Sequence, residues 1–360
     1  MNDADNLIYN RYDIIYPDEY VEYVYQYLNQ EYVLRCHVEG DTSSIDIWGR
    51  EIPKAVFYTF IDDVFRREPE VRFIKVEGSN NDYHGRLEMI RNVYINLPDN
   101  ADKINERLSS KTLHTLERKE RRLLEKYGSI TVKIYSNNIP KKLTENYFSW
   151  KKVTHGTDYN MSSIEYLKKY HVTHALELVG GEKSIAVVFY CVCEKTAYLE
   201  NLSFDSEVAK FSAGMIAYKR VLEWLSENGI NRFYLGKEGQ EYKNHFGSIK
   251  QDAYWGNIIN KNALNKAKLF LAERRYKEIA IYGLGNVGRE FLRYSDALGV
   301  KVVYAIDRKV KNYDSLMVYG NQDVFPACDV VIITLESRNE EIENILNDRG
   351  LEYLYWRKLL

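Results

Sequence analysis

The chain has 360 residues, of which 45% are hydrophobic and 28% are charged, and its formal net charge is -2. This composition is typical of a folded protein of two or three domains and excludes wholesale disorder. The near-neutral charge argues against DNA binding through bulk electrostatics, and the lack of any run of about 18 apolar residues predicts no membrane span.

The four cysteines are scattered, and their spacing is typical of neither a zinc site nor a redox pair. We therefore expect no metal and a reducing compartment. Residues 1–5 are acidic and lack the apolar segment of a secretory signal. Together these features predict a cytoplasmic protein.

Tyrosine is unusually frequent, with 31 copies, many of them in the first 35 positions. Tyr20, Tyr23 and Tyr27 recur at helical spacing, which predicts an amphipathic helix whose tyrosines pack against a core. The alternative is a groove for sugars or bases, because tyrosine presents a flat face together with a hydroxyl.

Residues 103–127 are predicted to form one long helix, with leucines on one side and lysines and arginines on the other. One interpretation is a solvated helix held by pairs such as Glu117 with Arg121. The other is a cationic wall beside an anionic donor or acceptor.

The middle of the chain alternates between strand and helix patterns. Lys183–Cys193 and Thr196–Phe204 are β-rich and closely spaced, which predicts a hairpin. Apolar residues from Val208 to Leu225 then step by three and four, which predicts a helix ending at Asn228-Gly229. Residues 230–235 follow as a strand. This order is typical of an α/β layer.

A boundary is predicted near residue 275, between a helix over residues 262–276 and an apolar strand over residues 277–283. The strand leads into Gly283-Leu284-Gly285-Asn286-Val287-Gly288, and a helix follows it. Residues 300–306 then form a strand that ends at Asp307.

This G-x-G-x-x-G pattern between strand and helix is typical of a dinucleotide fold. Gly283 would make the turn, Gly285 would admit a phosphate, and Gly288 would let the helix meet the strand. Asp307 would bind a ribose diol, and Asn286 and Val287 complete the expected nucleotide-binding set. A strand over residues 329–334 and a helix over residues 339–348 extend a parallel sheet.

Several elements between residues 80 and 260 share their order and spacing with a known group. They are Ser109-Ser110-Lys111 before the basic helix, Phe148-Ser149-Trp150, the hairpin, the Ser212-Ala213-Gly214 turn, and Gly236 with Tyr242-Lys243. In this order they resemble the CelD/BcsL-type acetyltransferases of the GNAT superfamily, which are related to the Fem peptidyltransferases.

The resemblance implies that strand Thr196–Phe204 splays from its neighbour and that the next helix points its N-terminus at the gap. Free N–H groups at such a terminus cradle a pyrophosphate or another anion. The acyl-donor residues implied are Lys210, Ser212, Ala213 and Gly214. Phe211 stands where the usual phosphate loop has a basic or amide residue, which leaves acyl-CoA, another acyl carrier and aminoacyl-tRNA open as donors.

Glu200 is a candidate general base, expected on one strand face with Leu202 and Phe204; the alternative is a core acid paired to a cation. His155, on a glycine loop, is a second candidate base. Tyr242 is a candidate proton donor to a leaving thiolate, and the alternative is that it orients the acceptor. The acceptor-binding candidates are Trp150, Lys243 and His245, of which His245 is also a base candidate or a packing residue.

The C-terminal part is too short for a full dehydrogenase domain. It resembles the small Rossmann-like domains of sugar-modifying enzymes, including the nucleotide-sugar-binding half of the PglD-type amino-sugar acetyltransferases. The resemblance implies a bound nucleotide-sugar or NAD. The alternative is a degenerate unit used for packing or dimerisation.

The predicted fold class is α/β: a GNAT-like mixed sheet with helices, followed by a small Rossmann-like parallel α/β domain. The expected segments are residues 1–80 (N-terminal part), 81–260 (acyltransferase core), 261–276 (linker helix) and 277–360 (nucleotide-binding domain).

The expected function is transfer of an acyl group from acetyl-CoA or another acyl-CoA to an amino sugar or nucleotide-sugar in surface-polysaccharide assembly. A Fem-like transferase that uses aminoacyl-tRNA and a non-catalytic nucleotide-binding scaffold are the alternatives. The oligomeric state stays open, with a homo-oligomer as one option.

Overall fold

The computed structural model describes residues 7–15, 20–47, 50–156, 159, 161–170, 172–193 and 195–360. Side chains are described in these ranges except at residues 7–15, 20, 46, 155 and 169. The prediction for residues 1–5 lies outside the described residues. The chain divides into two compact units, Met1–Met89 with Ala253–Leu360, and Ile90–Asp252.

The described elements up to residue 96 are six strands and one α-helix. They are β1 (Leu7–Ile15), β2 (Tyr20–Tyr27), β3 (Gln30–Glu39), β4 (Thr42–Asp46), α1 (Lys54–Arg67), β5 (Phe73–Ser79) and β6 (Glu88–Asn96).

Helices and strands alternate through the middle of the chain. They are α2 (Lys103–Glu106), α3 (Ser110–Tyr127), β7 (Ile130–Ser136), α4 (Lys141–His155), α5 (Ser163–Lys169), β8 (His174–Gly180), β9 (Lys183–Cys193), β10 (Thr196–Phe204), α6 (Ala213–Glu227), β11 (Arg232–Lys237) and β12 (Ile249–Ile259). Short 3-10 helices cover Ser206–Phe211 and Glu241–Asn244.

The C-terminal elements alternate regularly. They are α7 (Lys261–Glu273), β13 (Glu278–Tyr282), α8 (Asn286–Leu298), β14 (Lys301–Ile306), β15 (Val318–Tyr319), β16 (Val330–Ile333), α9 (Glu340–Asn347), β17 (Tyr353–Tyr355) and α10 (Trp356–Leu359).

The N-terminal tyrosines lie in a strand. β2 pairs antiparallel with β1 and β3, so the helix predicted from the spacing of Tyr20, Tyr23 and Tyr27 is wrong. The physical reason is a competing pattern of period two, in which Tyr23, Tyr25 and Tyr27 share one strand face. The predicted packing role is confirmed, because these three rings are buried in the core beneath α1.

In the unit Ile90–Asp252 the strands lie in the order β6-β11-β10-β9-β8-β7. Neighbours pair antiparallel except β10 and β11, which run parallel. Helices α3 and α6 pack on one face of this sheet, which we call the α6 face. Helices α4 and α5 pack on the opposite face, which we call the distal face. The predicted hairpin β9–β10 is confirmed.

Two predicted helices differ in extent from those in the structure. The helix predicted over residues 103–127 is interrupted at Arg107–Ser109, where Ser109 caps α3 by accepting a hydrogen bond from the Thr112 N–H at 3.2 Å. The helix predicted from Val208 begins at Ala213, because Ser212 has a left-handed φ of 54° that ends the preceding 3-10 helix.

The C-terminal segment forms a parallel sheet in the order β15-β14-β13-β16-β17. Helices α7 and α8 share one hydrophobic core with its strands, and α9 packs in a second core. The predicted parallel sheet is therefore confirmed. Its strands are short and apolar because both faces are covered by helices.

The carboxylate of Glu290 ties α8 to the C-terminus. Its side chain is 2% exposed and accepts hydrogen bonds from Trp356 Nε1 at 2.8 Å, Arg357 Nη1 at 2.6 Å and Asn257 Nδ2 at 2.5 Å. A buried carboxylate is tolerated when donors satisfy both oxygens, as they do here.

We expect Glu290→Ala to lower the free energy of unfolding by about 3–5 kcal/mol. The substitution leaves the largely buried Arg357 guanidinium, the Trp356 indole N–H and the Asn257 amide without this acceptor. Urea unfolding measures this loss. The matched control is Glu336→Ala, since Glu336 also contacts Arg357 but is 70% exposed, and its loss should cost less than about 1 kcal/mol. If the two substitutions had equal effects, the hydrogen bonds of Glu290 would not stabilise the fold as expected.

Candidate active site and nucleotide site

The parallel strands β10 and β11 separate halfway along their length. They pair at Thr196 with Arg232, Ala197 with Phe233 and Tyr198 with Tyr234. Beyond Tyr198 and Tyr234, β10 continues to residue 204 and β11 to residue 237 without pairing with each other. A gap therefore opens at the carboxyl ends of two parallel strands, which is where α/β proteins place ligands.

Glu200 lies in a β-bulge beside this gap. The register of β10 against β9 shifts between Leu199 and Asn201, so Leu199 and Leu202 both pack into the core on the α6 face. Glu200 instead has Oε1 at 4.0 Å from Cys191 Sγ, on the distal face. The expectation that Glu200 shares a face with Leu202 and Phe204 is wrong, because the bulge inserts one extra residue into the alternation.

The distal face around the gap is aromatic and polar. Tyr198 stacks on Tyr234 with ring centroids 5.5 Å apart, and Tyr94 lies 5.2 Å from Tyr234. Tyr147, from α4, donates a hydrogen bond to Asn201 Oδ1 at 2.8 Å. We call Tyr94, Tyr234 and Tyr198 the tyrosine row. Neither Tyr147 nor this row was assigned from the sequence, because the contacts depend on strand order.

Helix α6 begins at the gap on the other face. Ser212 precedes its first residue, and Ser212 Oγ accepts a hydrogen bond from Lys119 Nζ of α3 at 2.6 Å. Ala213 and Gly214 are buried in the first turn. A Cβ on Gly214 would lie 2.7 Å from Phe204 Cδ1, so this glycine permits close packing of α6 on β10.

Two further lysines stand near the start of α6. Lys210 Nζ lies 5.1 Å from the centre of the Phe211 ring, and Lys126 Nζ of α3 lies 5.8 Å from the same ring. Two lysine ammonium groups therefore lie near Phe211, although the Phe211 side chain itself carries no charge. The sequence assigned Lys210 here but missed Lys119, whose place at the site depends on the packing of α3 against α6.

Tyr242, Lys243 and His245 follow the end of β11. The Tyr242 ring lies edge-on to Tyr218 of α6 with centroids 5.4 Å apart, and burial raises the pKa of Tyr242 to about 12. Lys243 Nζ donates to the Lys237 carbonyl oxygen at 2.8 Å, and burial lowers the pKa of Lys243 to about 8. His245 is half-buried, and its N–H donates to the Tyr242 carbonyl oxygen at 3.3 Å.

Helix α4 carries the remaining two candidates. Trp150 packs against the aromatic core on the distal face, which contains Tyr147 and Phe189. His155 is the last residue of α4, and its side chain lies outside the described part of the chain. The structure thus brings Glu200 and Trp150 to the distal face and Tyr242 to the α6 face.

The glycine turn joins β13 to α8. Gly283 has a φ of 103°, a conformation that favours glycine, and a Cβ on Gly288 would overlap the Gly283 carbonyl oxygen. A Cβ on Gly285 would meet nothing within 4 Å. Asn286 and Val287 are the first residues of α8, so their N–H groups are free of helical partners. The geometry leaves room for a phosphate at Gly285.

Asp307 is held by main-chain groups at the end of β14. Its Oδ2 accepts from the Leu284 N–H at 2.7 Å, and its Oδ1 accepts from the N–H groups of Lys309 at 2.7 Å and Val310 at 2.9 Å. Burial acts to raise the pKa of Asp307, but these hydrogen bonds outweigh it and leave the pKa below its ordinary value. The carboxylate therefore also shapes the glycine turn.

We expect Asp307→Ala to lower the free energy of unfolding by about 1.5–3 kcal/mol at pH 7, the usual worth of hydrogen bonds to a charged group. Because the folded pKa is depressed, this contribution should be complete above the unfolded pKa of about 3.9 and be lost as pH falls through the folded value. Urea unfolding of both proteins from pH 7 to pH 2 tests this expectation. A difference between them that is independent of pH would contradict it.

The described ranges contain neither a cluster of metal-ligating side chains nor a membrane-spanning helix. In those ranges, no three His, Cys, Asp or Glu side chains are grouped so as to hold a metal ion. In the same ranges, no helix is long and apolar enough to cross a membrane.

Two family models match the chain. Residues 110–244 match the model described as "Acetyltransferase (GNAT) domain". Residues 247–355 match the model described as "D-isomer specific 2-hydroxyacid dehydrogenase, NAD binding domain". No curated protein matches the chain. The predicted fold class, a GNAT-like mixed sheet plus a Rossmann-like parallel domain, is confirmed by these matches.

Solved structures similar to this chain include FemX and L-PGS. FemX is 8% identical, and its match covers 72% of this chain and 90% of FemX with a TM-score of 0.46. L-PGS from Bacillus licheniformis is 12% identical, and its match covers 67% of this chain and 84% of L-PGS with a TM-score of 0.44. The two family matches combine a GNAT acetyltransferase domain with an NAD-binding domain and support an acyltransferase enzyme.

Proposed function

We propose that the unit Ile90–Asp252 transfers an acyl group from acetyl-CoA or another acyl-CoA to the amine of an amino sugar or nucleotide-sugar. The observation that carries the proposal is the separation of β10 and β11 beyond Tyr198 and Tyr234. That gap has Glu200 on one side and the start of α6 on the other, so a thioester lying in it could be reached by an amine on the distal face.

The start of α6 supports the binding of an anionic donor. The helix dipole and the free N–H groups of Ala213 and Gly214 favour a pyrophosphate, and Lys210 adds positive charge from the preceding 3-10 helix. Lys119 and Lys126 of α3 compensate for Phe211, which supplies no charge of its own. The donor set therefore suits the phosphates of coenzyme A.

The proposed reaction requires a base, an anion-stabilising group and an acid. Glu200 takes a proton from the acceptor ammonium, and the free amine attacks the thioester carbonyl carbon. Main-chain N–H groups of β10 beyond Tyr198, where β11 no longer pairs with it, are proposed to stabilise the oxyanion. As the C–S bond breaks, the thiolate takes the proton of Tyr242, and the second proton on the new amide nitrogen passes through solvent to restore the tyrosine. His155 is the second candidate for the base.

The acceptor is proposed to bind on the distal face. Trp150 and the tyrosine row offer flat apolar surfaces suited to a sugar ring. Lys243 and His245 follow β11 and are proposed to contact the acceptor's polar groups from the other side of the gap. A nucleotide-linked sugar would supply both a ring and phosphates.

The C-terminal domain is proposed to hold NAD or a nucleotide-sugar. Gly285 leaves space for the phosphates, and the first N–H groups of α8, at Asn286, Val287 and Gly288, face that space from a helix start. Asp307 Oδ2 accepts one hydrogen bond, from the Leu284 N–H, and is proposed to accept a second from a ribose hydroxyl. We propose a binding role, because no catalytic dyad is apparent in this part of the sequence.

The chain is proposed to be of the CelD/BcsL type, to act in the cytoplasm on surface-polysaccharide precursors, and to divide at residues 80, 260 and 276. A homo-oligomer is the proposed alternative to a monomer.

The experiment is a thiol-release assay. Acetyl-CoA and longer acyl-CoAs are each incubated with UDP-linked and dTDP-linked amino sugars, and free coenzyme A and the acylated sugar are measured by absorbance and mass spectrometry. We expect release only when both substrates are present. Absence of release with every pair would overturn the acyl-CoA proposal.

The Fem-like alternative is supported by the surface of α3. Its exposed cations, Lys111, Arg118, Arg121, Arg122 and Lys126, would suit the phosphates of a tRNA. Exposed Glu117 and Glu125 dilute this charge and favour the smaller donor. Transfer of a labelled amino acid from aminoacyl-tRNA, without thiol release from acyl-CoA, would establish the alternative.

A further inference from the structure

Asn92 is a buried amide with an unused acceptor. Its side chain is 1% exposed, and its Oδ1 has no hydrogen-bond partner among the residues that the structure describes. Nearly all buried polar atoms in folded proteins are paired, because an unpaired one costs free energy. An orphaned oxygen of this kind marks a place where a ligand can supply the missing donor.

Asn92 faces the proposed acceptor site. β6 pairs with β11 without a bulge of its own, so Asn92 and Tyr94 share one face while Val93 and Ile95 point into the core on the α6 face. Asn92 therefore lies on the distal face. Tyr94 is the first member of the tyrosine row, which places Asn92 beside that row.

Along the strands, Asn92 lies on the gap side of the tyrosine row. It pairs with Lys237 at the end of β11, three residues beyond Tyr234, where β10 and β11 have already separated. Glu200 occupies the corresponding position on β10, two residues beyond Tyr198. The two oxygen-bearing side chains thus lie on one face on either side of the gap, Glu200 on its border and Asn92 one strand further away, across β11.

The chemistry favours a neutral donor for Asn92. Its amide carries no charge, so it accepts from a hydroxyl without the electrostatic attraction that a carboxylate has for an ammonium. Glu200 is the better partner for the amine. A ring hydroxyl can donate to Asn92 Oδ1 while the sugar ring lies against the tyrosine row.

We propose that Asn92 binds the acceptor by accepting a hydrogen bond from a sugar-ring hydroxyl, and so selects a hydroxylated amino sugar over a plain alkylamine. The inference deepens the proposed function and rests on it for the identity of the acceptor. It assigns Asn92 a specificity role, distinct from the proton transfer assigned to Glu200.

The first test is Asn92→Leu, which keeps the volume and removes the acceptor. We expect the KM for a UDP-linked amino sugar to rise about tenfold, with the KM for acetyl-CoA unchanged. Because an orphaned oxygen is removed, the melting temperature should stay the same or rise. The matched control is Asn96→Leu, an exposed position on the same face of β6, which should change neither KM.

A second test does not depend on the folding of the variant. Wild-type protein is assayed with sugars that each lack one ring hydroxyl. We expect the KM of one deoxy sugar to exceed that of the complete sugar by about the same factor as Asn92→Leu raises it. Assaying Asn92→Leu with that deoxy sugar should raise the KM little further, because both changes remove the same hydrogen bond. Equal KM values for every deoxy sugar would overturn the inference.

Isothermal titration of the UDP-linked amino sugar separates this inference from the proposed function. If wild type binds the sugar but releases no thiol, the acyl transfer fails while a tenfold weaker Asn92→Leu still supports the site. If thiol is released but Asn92→Leu keeps its acceptor KM and melts at a lower temperature, Asn92 is structural and the inference is wrong. No binding of the sugar by wild type would overturn both.

Discussion

Replacing Glu200 by glutamine should lower kcat/KM for acyl transfer by about 10²–10⁴-fold, the usual contribution of a general base. The amide keeps the shape of the side chain at the bulge beside Cys191, so the fold should persist. What is lost is the group that takes the proton from the acceptor ammonium. The loss should appear mainly in kcat, with the KM for acetyl-CoA little changed.

The pH profile gives this prediction a second readout. An acceptor amine loses its own proton as pH rises, so the Glu200→Gln variant should recover part of its activity toward pH 9. The matched control is Glu182→Gln, an exposed carboxylate in the turn between β8 and β9, which should behave as wild type. Undiminished transfer by Glu200→Gln would remove Glu200 from the mechanism and direct the search for a base to His155.

Two glycines of the same turn should respond in opposite ways to substitution. A Cβ at Gly288 would overlap the Gly283 carbonyl oxygen and lie 3.2 Å from Thr334 Oγ1. Since main-chain atoms must move to accommodate it, Gly288→Ala should lower the free energy of unfolding by more than about 4 kcal/mol. Calorimetric unfolding measures this change.

Gly285→Val should leave the fold intact and abolish nucleotide binding. A Cβ there meets no atom within 4 Å, and the φ of -68° suits any residue. The valine side chain would fill the space proposed for the phosphates, so affinity should fall by about 100-fold or more, on the order of 3 kcal/mol. Titration with NAD and with UDP-sugars measures it. Wild-type affinity in a folded Gly285→Val protein would show that the turn is structural only.

Much of the fold could be predicted because it follows from local sequence patterns. The hairpin of β9 and β10, the helix ending at Asn228-Gly229 and the strand–glycine–helix unit at residues 277–298 each carry their own periodicity and end signals. Such signals act between neighbours in sequence, so no knowledge of distant contacts is needed to interpret them.

The candidate site was only partly predictable, for a reason that Glu200 illustrates. Its place on β10 was evident from sequence, but its face depends on a register shift against β9. Similarly, the alternation of tyrosines in β2 competed with a helical spacing over the same residues, and pairing with β1 and β3 decided between them. Local patterns do not contain the partner strand that sets a register.

The sequence by itself determined the α/β class, the order of the main elements within residues 183–235 and 262–348, and the glycine turn with its acid at Asp307. Only the tertiary structure decided where β10 and β11 separate, that Lys119 reaches Ser212 and that Glu290 binds Trp356 and Arg357. It also decided that Asn92 Oδ1, beside the tyrosine row, has no partner in the described part of the chain. The first group follows from propensity and periodicity along the chain. The second depends on contacts between residues far apart in sequence, which exist only once the sheets have formed their registers.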